Sequence, residues 1–291
     1  MARAFRRKDD TVQPRQIFAA IVETTIQLSK LIESSPKSYE ACSRVLAQCL
    51  DILPTSDLVQ SATLLLSNSD FQVQVAAVKS IEVRAGTVVQ NDLRSIQALL
   101  SFLPGAESLV HNSTEMEVKI ISVSCIDRII ERFGKKDVNA VSSVAQTIAG
   151  LQALLSSDDR VRILSLLCLT SVFDVLEDEA ISLLPTILPT AFEYLSQAIE
   201  ENKTGLHNAV YTLLSDIVER VGYMFSRNYL DTALRLSHRS VSASLETICD
   251  DSRLAFYDSV SQHLTAQEVF IAIKSTWPHA VSQGFDVSFT S

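Results

Sequence analysis

The chain has 291 residues, 47% of them hydrophobic, with 7 Gly, 7 Pro and a formal net charge of -9. Ordinary usage would supply roughly 20 Gly to a chain of this size. Turns, bulges and hairpins draw on Gly for positive φ, so the shortage excludes a β-rich or loop-rich fold and points to helices. The apolar content excludes disorder over most of the chain and suffices for a sizeable core.

The chain opens with Arg3, Arg6, Arg7, Lys8 and Arg15, leaving 20 basic against 32 acidic residues in the remainder. A body this acidic is a poor polyanion binder, because phosphate contact needs Lys and Arg to release counterions. We read the basic start, residues 1–13, as a solvated disordered tail in preference to a nuclear address. The apolar stretch Ile17 to Val22 is too short for the core of a secretory leader, so none is expected.

From residue 14 onward apolar residues recur at three and four, as in Val118, Ile121, Cys125, Ile129 and Phe133, which marks amphipathic helices. Helices are expected over 14–33 and 37–53, then in pairs: 57–67 with 70–85, 91–103 with 114–133, 138–156 with 158–177, and 179–199 with 204–222. Short polar joints such as Ser67-Asn68-Ser69-Asp70 separate them. Helices near 226–236, 240–249, 251–263 and 265–281 follow a looser pattern. The longest uncharged stretch, Val138 to Ser157, carries Asn139, Ser142, Gln146 and Gln152 and is not a membrane span.

The second helices of the pairs share one form: an acid, two residues, Val, then a polar or basic residue. Val73 and Val118 are 45 residues apart, Val118 and Val161 are 43, and a further 45 reaches Leu206. The acid caps free backbone N–H groups and favours the positive end of the helix dipole. The Val then faces the core. Gly134 and Gly222 each lie sixteen residues after this position and are expected to end the helix as left-handed C-caps. A period near 45 with two helices per unit is the signature of a HEAT-type array. The fold class is therefore all-α, a HEAT-repeat α-solenoid of antiparallel helix pairs. The array is assigned to 14–222, with degenerate helical repeats and a truncated end over 223–291.

No catalytic template is present: there is no nucleophile elbow, zinc-protease helix, Walker loop or dinucleotide fingerprint. The five His are widely spaced, and Asp158-Asp159 and Asp250-Asp251 sit where helices begin, which suits capping better than metal binding. The five Cys lack any C-x-x-C pair and read as buried reduced thiols. Aromatics and cations gather in one stretch, with Tyr211, Arg220, Tyr223, Arg235, His238 and Arg239, alongside Phe225 and Tyr229, as candidate partner-binding residues. The edge of a repeat core has the same composition. No cofactor, metal or small-molecule substrate is expected.

The stretch LHNAVYTLLSDIVERV from 206 to 221, with LLPTILPTAFEYL from 183 to 195 and Leu236-Ser237-His238-Arg239-Ser240, resembles the U-three small-nucleolar-RNA-associated protein ten family. Its animal counterpart is HEAT repeat-containing protein one, and the likeness is best from about 114 to 281. The resemblance implies a non-enzymatic nucleolar scaffold of the small-subunit processome, acting in pre-ribosomal RNA processing and 18S rRNA maturation. It implies other processome proteins as partners, and pre-rRNA or small nucleolar RNA through the complex, with no membrane. Members of that family are very large, so a fragment of such a protein is expected. A general HEAT adaptor for transport or phosphatase assembly is the alternative, and an all-helical enzyme a more distant one.

Overall fold

The computed structural model describes residues 20, 21, 23–25, 27, 28, 53–242 and 250–282. The expected basic tail, the helices over 37–53 and 240–249 for the most part, and Cys42, Cys49 and Cys249 lie outside them. Every regular element among the described residues from 53 onward is helical. The chain divides into two compact units, 1–140 and 141–291.

In the first unit α1 (Thr55–Leu65) pairs with α2 (Phe71–Thr87), and α3 (Leu93–Leu100) and α4 (Leu103–Asn112) precede α5 (Met116–Phe133). Helix α2 packs most extensively on α5, while α1 packs on α3. Two layers of helices result, as a repeat array requires, each unit burying a face that it could not bury alone. The sequence reading of one helix over 91–103 is corrected here. Pro104 lies in the first turn of α4, where its missing N–H costs nothing, but it cannot continue the hydrogen-bond ladder of α3.

Helix α6 (Val138–Ile148) contains the boundary between the units. It ends earlier than the expected residue 156, because the backbone turns at Gly150, whose carbonyl accepts from the N–H groups of Ala153 and Leu155. The second unit continues through α7 (Asp159–Leu176), a 3-10 segment (Glu177–Leu183), α8 (Leu184–Glu201), α9 (Thr204–Asn228), α10 (Leu230–Ser242), α11 (Asp250–His263) and α12 (Ala266–Ser282). Helices α7, α9 and α11 form one layer, and α8, α10 and α12 the other.

The repeat register is set by burial. Val73, Val118 and Val161 are fully buried and Leu206 is 1% exposed, so the shared position of all four helices faces the core. Asp70 accepts from the Gln72 N–H, and Asp158 from those of Arg160 and Val161, which closes their helix starts as expected. Glu115 makes no such cap.

Neither glycine cap is left-handed. Gly134 has φ -55° and ψ -38° and leads into a short 3-10 turn. Gly222 lies inside α9, just after Val221, whose φ of -131° and ψ of 35° leave the helical region. A Cβ on Gly222 would come within 2.9 Å of Leu264 Cδ2, so this side-chain end would have to shift to admit one. The left-handed turn belongs instead to Asn202, at φ 57° and ψ 42°, which ends α8.

Candidate functional site

The structure places the six sequence-selected residues in different settings within the second unit. Tyr211 is fully buried, its ring 5.8 Å from that of Phe256 and its hydroxyl 3.4 Å from Ser240 Oγ. Burial pushes its phenol up to about 12. Tyr211 therefore belongs to the core and presents no surface. The neighbouring aromatics are also structural: Phe225 is buried against Phe256, and Tyr229 lies beside Phe192.

Arg220 pairs with Asp174 of α7 at 2.5 Å, and the half-exposed Tyr223 donates to Asp178 Oδ1 at 3.3 Å. On α10, in the other layer, Arg235 pairs with Asp231 of its own helix at 3.0 Å. Arg239 donates to Ser196 Oγ at 3.1 Å and Glu200 Oε1 at 3.0 Å on α8. His238 is half-buried beside it. The six residues thus split between a buried position, an edge of α9 that meets α7 and the 3-10 segment, and α10, where Arg239 reaches α8.

What joins them is the repeat. Lys203 Nζ reaches Asp159 Oδ2 at 2.7 Å across 44 positions, Asn208 accepts from Ser252 at 2.8 Å across 44, and Ser226 donates to Glu268 at 2.6 Å across 42. In the first unit Ser124 donates to Glu82 at 2.5 Å across 42, and Arg132 donates to the carbonyls of Ala85 and Val88 at the end of α2. These separations are close to the period; the Ser226 bond joins α9 to α12 of the other layer, and the rest tie a helix to its equivalent in the next repeat. Sequence reasoning missed the ties although the signal was present: subtracting about one period from Lys203, Arg220 or Tyr223 lands on Asp159, Asp174 or Asp178. Lys203 stands where the other repeats carry a capping acid, and its pairing with Asp159 and Glu201 accounts for the exchange.

A buried polar knot lies where α9, α10 and α11 meet. His207 Nε2 is 3.2 Å from Ser240 Oγ, Ser237 Oγ contacts the Tyr257 hydroxyl, and Arg253 is 7% exposed. Burial, aided by Arg253, holds the imidazole below its ordinary range against an opposing hydrogen bond with Asn208. A neutral, buried ring suits a packing role. Among the described residues no group of His, Cys, Asp and Glu could hold a metal ion. Burial drives the Cys125 thiol up, away from the reactive thiolate. No helix of the described residues is long and apolar enough to cross a membrane.

Paired helices in two layers, a buried residue every 43 to 45 positions and polar ties across 42 to 47 define an all-α repeat protein of the HEAT class. The crystal structure of an engineered protein, 16% identical, superimposes with a TM-score of 0.56 over 82% of this chain and 97% of its own. No protein-family model matches the chain. A protein of Phaeosphaeria nodorum named U3 small nucleolar RNA-associated protein 10 is 69% identical over 288 residues, covering 99% of this chain and 17% of that protein. Proteins of the same name from Neurospora crassa and Chaetomium globosum are 32% and 31% identical, over 96% and 94% of this chain and 16% of each relative. The chain belongs to the U3 small nucleolar RNA-associated protein 10 family and spans about a sixth of the length of these relatives. The likeness, best in the sequence from about 114 to 281, takes in 99% of the chain.

Proposed function

We propose that this chain is a stretch of a non-enzymatic HEAT scaffold of the small-subunit processome, acting in nucleolar pre-ribosomal RNA processing and 18S rRNA maturation. The observation that carries the reading is the 69% identity, over 99% of the chain, to a protein named for its association with U3 small nucleolar RNA. The disposition of the side chains supports it. Arg132, Lys203, Arg220 and Arg239 tie one repeat to the next, leaving a stacked helical surface suited to holding other proteins. Partner contact is assigned to the exposed Tyr223 and to the Arg235, His238 and Arg239 edge of α10, with Arg220 positioning α9 against α7. RNA is engaged through the complex, in keeping with the excess of 34 acidic over 25 basic residues.

The test is affinity capture of the tagged chain from nuclear extract, followed by identification of bound protein and RNA. Processome proteins with U3 or pre-ribosomal RNA are expected. Recovery of transport cargo or phosphatase subunits, with no processome protein and no pre-ribosomal RNA, would overturn the assignment.

A further inference from the structure

In the first unit a cleft of about 390 Å³ opens between the joint that links α1 to α2 and the joint that links α4 to α5. Its size falls within the range of ligand-binding clefts, roughly 300–1,000 Å³. Leu66, Phe71 and Leu109 supply an apolar floor. The walls are held in place: Gln74 Nε2 donates to the carbonyls of Leu66 at 3.0 Å and Asn68 at 2.8 Å, and Asn112 Nδ2 donates to Ser108 Oγ at 3.1 Å. Asn68, in the first joint, and Asn112, the last residue of α4 before the second, are 44 residues apart.

Against this fixed frame several polar groups carry no side-chain bond among the described residues. They are the hydroxyls of Ser69 and Thr114, the Asn112 amide oxygen and the Glu115 carboxylate. Glu115 stands at a helix start yet its side chain caps nothing; its own N–H is instead accepted by Ser113 Oγ at 3.1 Å. Among the described residues no Lys or Arg lines the cleft. Its exposed groups are hydroxyls, an amide oxygen and one negative charge, over an apolar floor. A polyanion would meet a carboxylate and no cation. A main chain supplies the N–H groups that the amide oxygen and hydroxyls accept, and alternate side chains of an extended segment reach the floor.

We propose that this cleft binds a short extended segment of a partner polypeptide, with a lysine or arginine of that segment set against Glu115. The inference deepens the scaffold reading and rests on it only for the existence of a protein partner. Its affinity comes from main-chain pairing and a few apolar contacts, and its selectivity from one charge.

The full chain is titrated with two fluorescein-labelled pools of blocked pentapeptides, one with a fixed central lysine and one with a fixed central glutamate. Fluorescence anisotropy should show the lysine pool binding about fivefold tighter, the upper end for one exposed ion pair. Glu115→Gln should abolish that preference without moving the melting curve. Filling the cleft with Thr114→Trp, or with Asn112→Trp if the first variant melts early, should remove the binding of both pools. Equal binding of the pools, a lysine preference that survives Glu115→Gln, or a short oligouridine that competes in the same cleft would each overturn the proposal. Nuclear capture that returns no processome protein would defeat the scaffold reading and leave this measurement standing.

Discussion

Val118 tests the repeat register more directly than any other position. It is fully buried in α5, and its neighbour Glu117 is exposed, so a shift of one residue exchanges core for solvent. Val118→Ala removes two methyl carbons at about 0.8 kcal/mol each, and the unfilled space raises the cost to about 2 kcal/mol. Val118→Asp adds a carboxylate with no cation built to meet it, and holding that group neutral or charged costs several kcal/mol more. Domain stabilities of this kind are only about 5–15 kcal/mol, so the aspartate variant should lose the fold of the first unit. Urea unfolding followed by hydrogen exchange resolved along the chain is the suitable assay, because the single tryptophan, Trp277, belongs to the other unit. The alanine variant should lose protection across α2 and α5 at lower urea, while Glu117→Ala should change little. A Val118→Ala midpoint equal to wild type, or a larger effect at Glu117, would refute the assigned register.

Arg132→Met retains the side-chain stem and deletes the donors to Ala85 and Val88; it should cost about 2–3 kcal/mol in urea unfolding, against less than about 1 kcal/mol for Arg128→Met, whose pairing with Glu131 is exposed. Asn202→Ala forces a Cβ-bearing residue without a local hydrogen-bonding side chain into the left-handed region and should lower stability by about 1 kcal/mol, whereas Asn202→Gly should be neutral or slightly stabilising in the same measurement. The His207 imidazole is depressed by burial, so the unfolded chain takes up a proton first: stability should be flat above about pH 6.5 and fall below it, and His207→Phe should flatten the urea midpoint over that window. Glu268 is held down to about 2 by hydrogen bonds from Ser226 and Thr265, so its contribution is complete above the usual carboxylate range and drains away as pH falls from about 4.5 towards 2; Glu268→Gln should weaken that acid loss, read from circular dichroism.

The elements legible in the sequence are those in which burial and period coincide. Val73, Val118, Val161 and Leu206 could be found because each sits on an apolar stripe and follows a short polar joint. The break before Leu103 was hidden for a physical reason: Leu99, Leu100, Phe102, Leu103 and Ala106 continue the apolar pattern across it, since packing is continuous where only the hydrogen-bond ladder is interrupted. Gly222 misled for the opposite reason. A glycine near the expected end of a helix usually marks a C-cap, whereas here it lies inside α9, which runs on to Asn228 with Phe225 fully buried. Composition marks the partner-binding candidates, but it cannot tell a tyrosine packed on Phe256 from one half in solvent. The separation lies in the third dimension, except where the repeat projects it back onto the sequence.

That projection changes what the charge means. The acidic excess is a property of the whole chain, but its effect on partners depends on which charges remain exposed. In the second unit Arg162, Lys203, Arg220, Arg235 and Arg239 each face a carboxylate within 3.0 Å, and three of these pairs join helices of successive repeats. A cation paired in this way has already lost most of the counterion release that drives nucleic-acid binding. Each tie consumes one acid as well, so pairing leaves the excess of acids intact and concentrates it in the unpaired groups, among them Glu177 and Glu179 beside Tyr223 and Glu115 at the cleft.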